Sequence, residues 1–340
     1  MESPSVKSGF GTIVASGLVV IAAMLVADTG GPFAAPESFY LGACDASATV
    51  AVDDYHFLAA TDEDSVLRLF RRDPPGPPVK SFDLASALEL GRKAGETDIE
   101  GAARIGDVVY WITSHARDGD GKAHPDRARF FATRLAGQGT ELSVEIIGRP
   151  CRTLVADLVA APWAAQYDLA DAAGRSGKGK GGLNIEGLCA DGRGGLLIGF
   201  RNPIPRKRAL LVPLRNPAQV VAGSRPEFGD PVELDLGNRG VRDLAFADGR
   251  FLIVAGPRSG ADDFALYSWR GPGTPLQFLG LRFTDGFSPE GAVFYPDTGW
   301  RGVHLFSDDS GRVVDGRQCK DIEDKPQRRF RARWVALPER

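Results

Sequence analysis

The body of the chain repeats one short unit, and this repeat constrains the fold more than any other feature. In each unit an acidic residue precedes a short apolar strand, a turn and a second apolar strand; the units open at Asp45, Glu100, Glu186, Asp243 and Glu290. The spacings between these acids are 55, 86, 57 and 47 residues, and three of the four fit a blade of four short strands. The repeat predicts an all-β fold, a β-propeller with five visible blades.

The longest spacing contains a segment of a different character. Residues 154–173 lack glycine and, apart from Pro162, proline, which favours helix, and the glycine-rich residues 174–182 follow as a flexible tether. We therefore predict a helical insertion with its tether at about residues 152–183. A sixth, degenerate blade around residues 141–147 stays open as an alternative.

A β-sandwich is the alternative fold, since it also has strands at regular spacing. A sandwich does not explain why each unit opens with a carboxylate at the same place. A propeller does, because its innermost strands all begin around one axis. The chain's 42 glycines and 23 prolines lie between short apolar runs, as expected where many turns join many strands.

The charge distribution argues against nucleic acid as a partner. The 41 basic residues are scattered among 44 acidic ones, and the net charge is −3. A nucleic-acid-binding surface requires clustered lysine and arginine side chains, and no such basic face is visible.

The N-terminal region predicts export from the cytoplasm. Residues 11–27 carry no charge and follow Lys7, an arrangement typical of a signal peptide or an uncleaved inner-membrane anchor. A buried core helix is the third interpretation. We assign residues 1–36 to this segment with its linker and residues 37–340 to a periplasmic or otherwise extracytoplasmic propeller.

Four cysteines lack the spacing of a zinc or redox site. In an oxidising compartment, Cys44 can pair with Cys319 and Cys151 with Cys189. The alternative for Cys189 is that it is a small core residue without a disulfide.

The repeat also predicts a site. Because the inner strands begin around one axis, we expect Glu100, Glu186, Asp243 and Glu290 to converge at one mouth of the central channel. Glycine follows three of these acids and allows close approach of the backbone. The second strand of each blade returns to the same mouth, so its polar exit loop lies beside the acids; these loops are residues 62–65, 114–117, 200–203, 256–259 and 307–310.

Such a cluster requires neutralisation. Two carboxylates about 6 Å apart at an effective dielectric constant of about 20 repel each other by roughly 3 kcal/mol. Carboxylate oxygens are ligands for Ca²⁺, which makes Glu100, Glu186, Asp243 and Glu290 candidate metal ligands. The arginines of the same region can instead line the mouth or hold a small anionic ligand; the candidate ligand-binding residues are Arg201, Asn202, Arg242 and Arg258. A third interpretation is that the acids only cap the inner strands.

Catalytic signals are weak. His115 is the one histidine that this interpretation places at the mouth, and with Arg117 it forms the candidate catalytic pair. The chain has no G-x-S-x-G, Walker or H-E-x-x-H motif, which excludes the commonest hydrolase, nucleotide-binding and zinc-protease patterns.

Several blocks carry a resemblance to a known family. Residues 44–48, 98–101, 110–115, 184–188, 197–203, 209–214 and 240–243 resemble an uncharacterised bacterial family, domain of unknown function 3616, and the block Ile198–Pro203 is the most specific. The x-x-Glu-Gly segments are more weakly similar to phytase-like esterase propellers, in which acids near the channel hold calcium. That resemblance implies a calcium site; the chain lacks the dense lysine cluster that phosphate-ester hydrolysis would use.

Two functions follow as hypotheses. The first is a non-catalytic propeller that binds a cation, a small anionic ligand or a partner protein at its acidic mouth. The second is a metal-assisted, phytase-like esterase or phosphoesterase, in which a bound cation polarises the substrate and activates water.

Overall fold

Short apolar strands joined by tight turns form the framework of the computed structural model, which describes residues 1–2, 37–91, 96–260 and 262–338. The hairpin at Asp248 and Gly249 illustrates the turn chemistry. Both residues have left-handed φ angles, 50° and 73°, as a two-residue turn between twisted antiparallel strands requires. Aspartate and glycine are residues that adopt this conformation at low cost.

The strands follow one another along almost the whole described chain. They are β1 (Ser38–Leu41), β2 (Ala48–Ala51), β3 (His56–Ala60), β4 (Val66–Arg71), β5 (Lys80–Asp83), β6 (Ile99–Ile105), β7 (Val108–Thr113), β8 (Phe130–Ala136), β9 (Ser143–Cys151), β10 (Asn184–Ala190) and β11 (Leu196–Asn202). They continue as β12 (Ala209–Leu214), β13 (Val232–Leu234), β14 (Gly240–Ala247), β15 (Arg250–Gly256), β16 (Phe264–Trp269), β17 (Gln277–Phe283), β18 (Pro289–Val293), β19 (Gly302–Ser307), β20 (Val313–Val314), β21 (Arg317–Gln318) and β22 (Arg329–Ala336).

These strands form a five-bladed β-propeller. Four antiparallel sheets follow chain order: β2–β5, β6–β9, β10–β13 and β14–β17. The fifth sheet has the order β18, β19, β22, β1, so the N-terminal strand is the outer strand of the last blade. The inner strands β2, β6, β10, β14 and β18 each contact the next, and β18 contacts β2. The ring is therefore closed, as the repeat predicted.

The sixth-blade alternative is wrong. The segment around residues 141–147 belongs to β9, which pairs with β8 as the outer strand of the second blade. The predicted helical insertion is present but broken into short pieces, α1 (Leu154–Val159) and α2 (Leu169–Ala173), with a 3₁₀ turn at Ala164–Tyr167 between them. A third helix, α3 (Pro217–Val221), precedes β13.

The insertion is part of the propeller's core rather than a separate body. Leu154, Leu158 and Leu169 are buried in one apolar cluster with side chains of the second and third blades, such as Ile112 and Ile198. Burial of this apolar surface fastens the insertion to the two blades that it connects.

One of the two predicted disulfides is present. Cys44 and Cys319 are bonded, with an S–S distance of 2.06 Å, and link the start of the first blade to the last blade. Cys151 and Cys189 are free thiols, and Cys189 is buried in an apolar cluster, so the core interpretation holds for Cys189.

The N-terminal prediction is not decided by the structure. Residues 11–27 lie outside the described residues, and among the helices that are described none is long and apolar enough to cross a membrane.

Candidate functional site

A β-bulge occurs at the same place on four of the five inner strands. The pairing between inner and second strand skips one residue near the start of β6, β10, β14 and β18. The residues that have no partner in the strand pairing are Glu100, Glu186, Arg242 and Glu290. A bulge redirects a side chain and leaves its backbone outside the ladder. The fold thus presents one charged residue from each of these blades at equivalent positions.

The residue after the bulge lies against the next blade. A Cβ atom added to Gly101 would be 2.8 Å from the Leu188 Cβ, and one added to Gly187 would be 2.7 Å from the Val241 Cγ1. At Gly291 the nearest atom would be the Ala46 backbone oxygen, 2.5 Å away. Glycine is therefore required here because adjacent inner strands pass within van der Waals contact.

The fourth blade departs from this pattern, and the sequence prediction for it was shifted by one residue. Arg242, not Asp243, occupies the bulge, and Asp243 takes the position that glycine has elsewhere. The buried Asp243 carboxylate accepts a hydrogen bond from the Leu244 backbone N–H at 2.7 Å. Burial raises the pKa of Asp243 well above its ordinary value, and the backbone amides of Leu244 and Ala292 oppose that rise. Asp243 therefore lies between the inner strands of blades four and five.

Two arginines neutralise one side of the mouth, which we call the paired half. Glu186 Oε1 is 2.6 Å from Arg201 Nη1, and Glu186 Oε2 is 2.5 Å from Arg242 Nε. Arg242 also forms an ion pair with Glu290. The side chains of Glu186 and Arg242 are 1% and 2% exposed, so the interaction is screened little by water.

The Arg242 guanidinium keeps its positive charge within this network. Burial, followed by repulsion from Arg201, lowers the pKa of Arg242 to about 10, while Glu186 opposes the shift. Its guanidinium carbon also lies 5.3 Å from the centre of the Phe264 ring. Arg242 is protonated at neutral pH and joins two blades electrostatically.

The other side of the mouth, the unpaired half, consists of Asp45, Asp62, Glu100 and Asp308. None of these four forms an ion pair with a lysine, arginine or histidine within the described part of the chain. Asp45 Oδ1 accepts hydrogen bonds from the Ser47 hydroxyl at 2.9 Å and the Asp62 backbone N–H at 3.2 Å. Asp45 Oδ2 is buried and has no partner in the described structure.

Burial and mutual repulsion act together on these carboxyl groups. Burial, then the charges of Asp62 and Asp308, raises the pKa of Asp45 well above its ordinary value. The pKa of Asp62 rises to about 8 through burial and the nearby Asp308 and Asp98. Burial, followed by the charges of Glu186 and Asp98, raises the pKa of Glu100 well above its ordinary value, and Arg201 opposes this rise.

A cavity of about 180 Å³ opens at the mouth and is lined by residues of both halves. Its acidic lining residues are Asp62, Glu96, Asp98, Glu100, Asp118, Glu290 and Asp308, and its basic ones are Arg117, Arg127, Lys178 and Arg201. The lining has an excess of carboxylates, and the cavity has room for a small ion with several waters. No group of three or more His, Cys, Asp or Glu side chains that could hold a metal ion is present within the described ranges.

The candidate catalytic residues have structural partners. Arg117 lines the cavity, but it donates hydrogen bonds to the Ala173 carbonyl at 2.8 Å and the Gly121 carbonyl at 3.0 Å, which fastens the end of α2. Burial lowers the pKa of His115 to about 4, so its imidazole is neutral at physiological pH. A catalytic role for this pair stays a prediction.

The four candidate ligand-binding residues separate into different environments. Arg201 and Arg242 belong to the paired half. Asn202 Nδ2 donates to the Gly177 and Gly179 carbonyls at 3.0 and 2.7 Å and holds the tether. Arg258 lines a second cleft, and its backbone oxygen accepts a hydrogen bond from Arg201 Nε of the mouth at 2.9 Å.

Sequence reasoning did not include Asp62 and Asp308 among the site residues. Both lie in exit loops that it placed beside the acids, and each loop carries neighbouring acidic residues, at 62–64 and at 308–309. These runs of neighbouring acids were the sequence signal for additional site residues. The signal could not indicate which carboxylates acquire an arginine, because the partners come from other segments: Arg328 pairs with Glu63 from the opposite end of the chain, and Arg331 of β22 pairs with Asp309.

Comparison with known proteins identifies the class and then the family. The fold and the charged mouth define a five-bladed β-propeller. The chain belongs to the family described as protein of unknown function, DUF3616, whose profile matches residues 45–166 and 167–274. The resemblance to this family noted in the sequence is thereby confirmed. A search of curated proteins found no match.

Solved structures give weak likenesses. The glutaminyl cyclase of Myxococcus xanthus is 14% identical, with a TM-score of 0.44 over 90% of this chain and 97% of that one. A putative oxidoreductase (glucose dehydrogenase) of Thermus thermophilus is 15% identical, with a TM-score of 0.43 over 88% and 100%. A GH43_1 enzyme of Xanthomonas citri is 12% identical, with a TM-score of 0.44 over 88% and 89%. At these scores they carry no information about the function of this chain.

Proposed function

We propose that this propeller binds a cation at the unpaired half of its mouth and that Ca²⁺ is the ion to test first. One observation carries the proposal: Asp45, Asp62, Glu100 and Asp308 lie within electrostatic reach of one another, and none has an ion-pair partner in the described structure. The paired half meets the same electrostatic problem with two arginines.

The unpaired half has two ways to relieve its repulsion. Its carboxyl groups can take up protons, or they can bind a cation. At a dielectric constant of about 20, each pair of charges about 6 Å apart costs roughly 3 kcal/mol, so the gain from either solution is large. Ca²⁺ accepts six to eight oxygen ligands in flexible geometry, which suits carboxylates, backbone oxygens and waters around a small cavity.

Binding requires the side chains to move. Because they do not converge on one point in this structure, Ca²⁺ would draw Asp62 and Asp308 inward from their exit loops, at some cost in affinity. Backbone hydrogen bonds of the loops would hold the main chain while the side chains adjust; examples are those from the Asp308 N–H to the Ser288 carbonyl and from the Asp309 N–H to the Cys44 carbonyl, both at 2.9 Å.

The test compares one acid from each half. Residues 37–340 are melted in Ca²⁺ and in metal-free buffer, with Asp62→Asn for the unpaired half and Glu186→Gln for the paired half. The parent should gain stability from Ca²⁺ by mass action, about 2.7 kcal/mol at one hundred times the dissociation constant. Asp62→Asn should lose most of this gain. Glu186→Gln should be destabilised in both buffers, because Arg201 and Arg242 lose a partner, and should keep the gain.

Two results would overturn the proposal. One is a parent melting temperature that Ca²⁺ leaves unchanged at millimolar concentration, with no heat of binding in titration calorimetry. The other is a Ca²⁺-dependent gain that Asp62→Asn retains in full, which would place the ion elsewhere on the protein.

We also propose that the propeller works outside the cytoplasm. The uncharged residues 11–27 and the Cys44–Cys319 disulfide support this location, because disulfides persist in oxidising compartments. A reporter enzyme that is active only outside the cytoplasm, fused after residue 40, should be active. An inactive fusion, with an active control behind a known signal sequence, would contradict the proposal.

A further inference from the structure

A second cavity has the opposite charge to the acidic mouth. It encloses about 780 Å³ between the helical insertion, the tether and the loops that follow β11, β13 and β15. Six basic side chains line it: Arg175, Lys180, Arg206, Lys207, Arg239 and Arg258. Only two acidic residues join them, Asp168 and Asp263. We call this cavity the basic cleft.

Three of the six cations are already paired. Arg175 lies 3.3 Å from Asp171, Arg206 forms an ion pair with Glu233, and Arg239 forms one with Asp263. Because their charges are neutralised by these carboxylates, the three arginines add little to the positive charge of the cleft.

The other three cations have no acidic partner. Lys180, Lys207 and Arg258 form no ion pair within the described structure. The Arg258 Nε atom is buried and has no hydrogen-bond partner there. A buried guanidinium nitrogen without an acceptor costs free energy, and an anion in the cleft would supply that acceptor.

The backbone of the cleft is held in place. Arg206 and Lys207 both have left-handed φ angles, 51° and 64°, which non-glycine residues adopt at a cost. Asn202 holds the tether through the Gly177 and Gly179 carbonyls, which places Lys180 at the cleft. The loop after β11 and the tether thus each bring a lysine without an acidic partner to the cleft, Lys207 and Lys180, within the described structure.

We propose that the basic cleft binds a small molecule carrying a multivalent oxyanion, such as a phosphate ester or a polycarboxylate. Arg258 would form paired hydrogen bonds to the anionic oxygens, and Lys180 and Lys207 would contact it as point charges. The exposed Asn238 and Ser259, which also line the cleft, supply polar groups for the rest of the ligand. This proposal does not rest on cation binding at the mouth.

The experiment is titration calorimetry on residues 37–340 in metal-free buffer at low ionic strength. The probes are pyrophosphate, inorganic phosphate and citrate, which separate phosphate from carboxylate chemistry. Arg258→Gln and the double variant Lys180→Gln/Lys207→Gln should each weaken binding of the preferred probe by about tenfold or more, since charge-assisted hydrogen bonds are lost. The affinity of the parent should fall as salt is added.

Arg193→Gln is the matched control. Arg193 is an exposed arginine on the turn between β10 and β11 of the third blade, which also carries Lys207, and it does not line the cleft. It should leave the affinity unchanged, and all variants should keep the parent melting temperature within about 2 °C, as surface substitutions do. Equal weakening by Arg193→Gln would reduce the interaction to a general surface charge effect. Binding to none of the three probes at millimolar concentration would overturn the proposal.

Discussion

The two halves of the propeller mouth solve one electrostatic problem in different ways. In the paired half, Glu186 and Glu290 share Arg242, and Glu186 also binds Arg201. In the unpaired half, Asp45, Asp62 and Glu100 have no such partner, and their pKa values rise. Charged residues around one mouth of a repeated fold thus need not share one environment: the paired half forms an ion-pair network, and the unpaired half has carboxyl groups without a basic partner within the described residues.

The largest expected effect comes from removing the shared arginine. Arg242→Met should lower the free energy of unfolding by about 3–5 kcal/mol, because it leaves Glu186 and Glu290 buried with one partner fewer. Denaturant unfolding measures this. Arg193→Gln, an exposed arginine of the neighbouring blade, should stay within about 0.5 kcal/mol of the parent. A near-neutral Arg242→Met would mean that the two halves do not differ in the way described.

An intermediate effect should be equal in the two halves. Gly187→Ala places a methyl group 2.7 Å from Val241 Cγ1, and Gly101→Ala places one 2.8 Å from Leu188 Cβ. Both should destabilise the propeller by about 1–3 kcal/mol through overpacking. Similar losses in urea unfolding would show that the backbone frame is common to both halves. A loss confined to Gly187→Ala would instead tie the close approach to the arginine network.

The smallest expected effect is the change in the free energy of unfolding per pH unit, and it should differ between the two halves. The folded-state pKa of Asp62 is about 8, whereas an unfolded aspartate has a pKa of about 3.9. Between these values the folded state binds more protons than the unfolded state, so stability should fall as pH rises from 5 to 8. For one group the slope is at most about 1.4 kcal/mol per pH unit.

Unfolding at pH 5, 6, 7 and 8 in metal-free buffer measures this slope, and Asp62→Asn should flatten it. Asp309→Asn is the control, since Asp309 is a buried carboxylate of the same mouth that is ion-paired with Arg331. That variant should be less stable throughout but keep the parent's slope. Stability that rises steadily with pH in the parent would contradict the assignment of Asp62.

Much of the fold was predictable because its signals are local. The signals are short apolar strands, turns such as Asp248–Gly249 and an acid at the start of each unit. Each depends on residues close in sequence, and together they predicted the blades and the mouth. In the fourth blade the same local pattern selected a residue one position away from the bulge. Asp243 matches the other acids in sequence, but the bulge selects Arg242, and the bulge depends on pairing with β15.

The sequence by itself determined a propeller with five blades, an interruption between the second and third units and charged residues around one mouth. The tertiary structure alone decided which charges are neutralised. Arg201 reaches Glu186 from the second strand of its blade, Arg242 reaches it from the next blade, and nothing comparable reaches Asp62 within the described residues. The pair between Arg242 and Glu186 depends on the distance between the inner strands of two blades, and that distance is set only when the blades pack together.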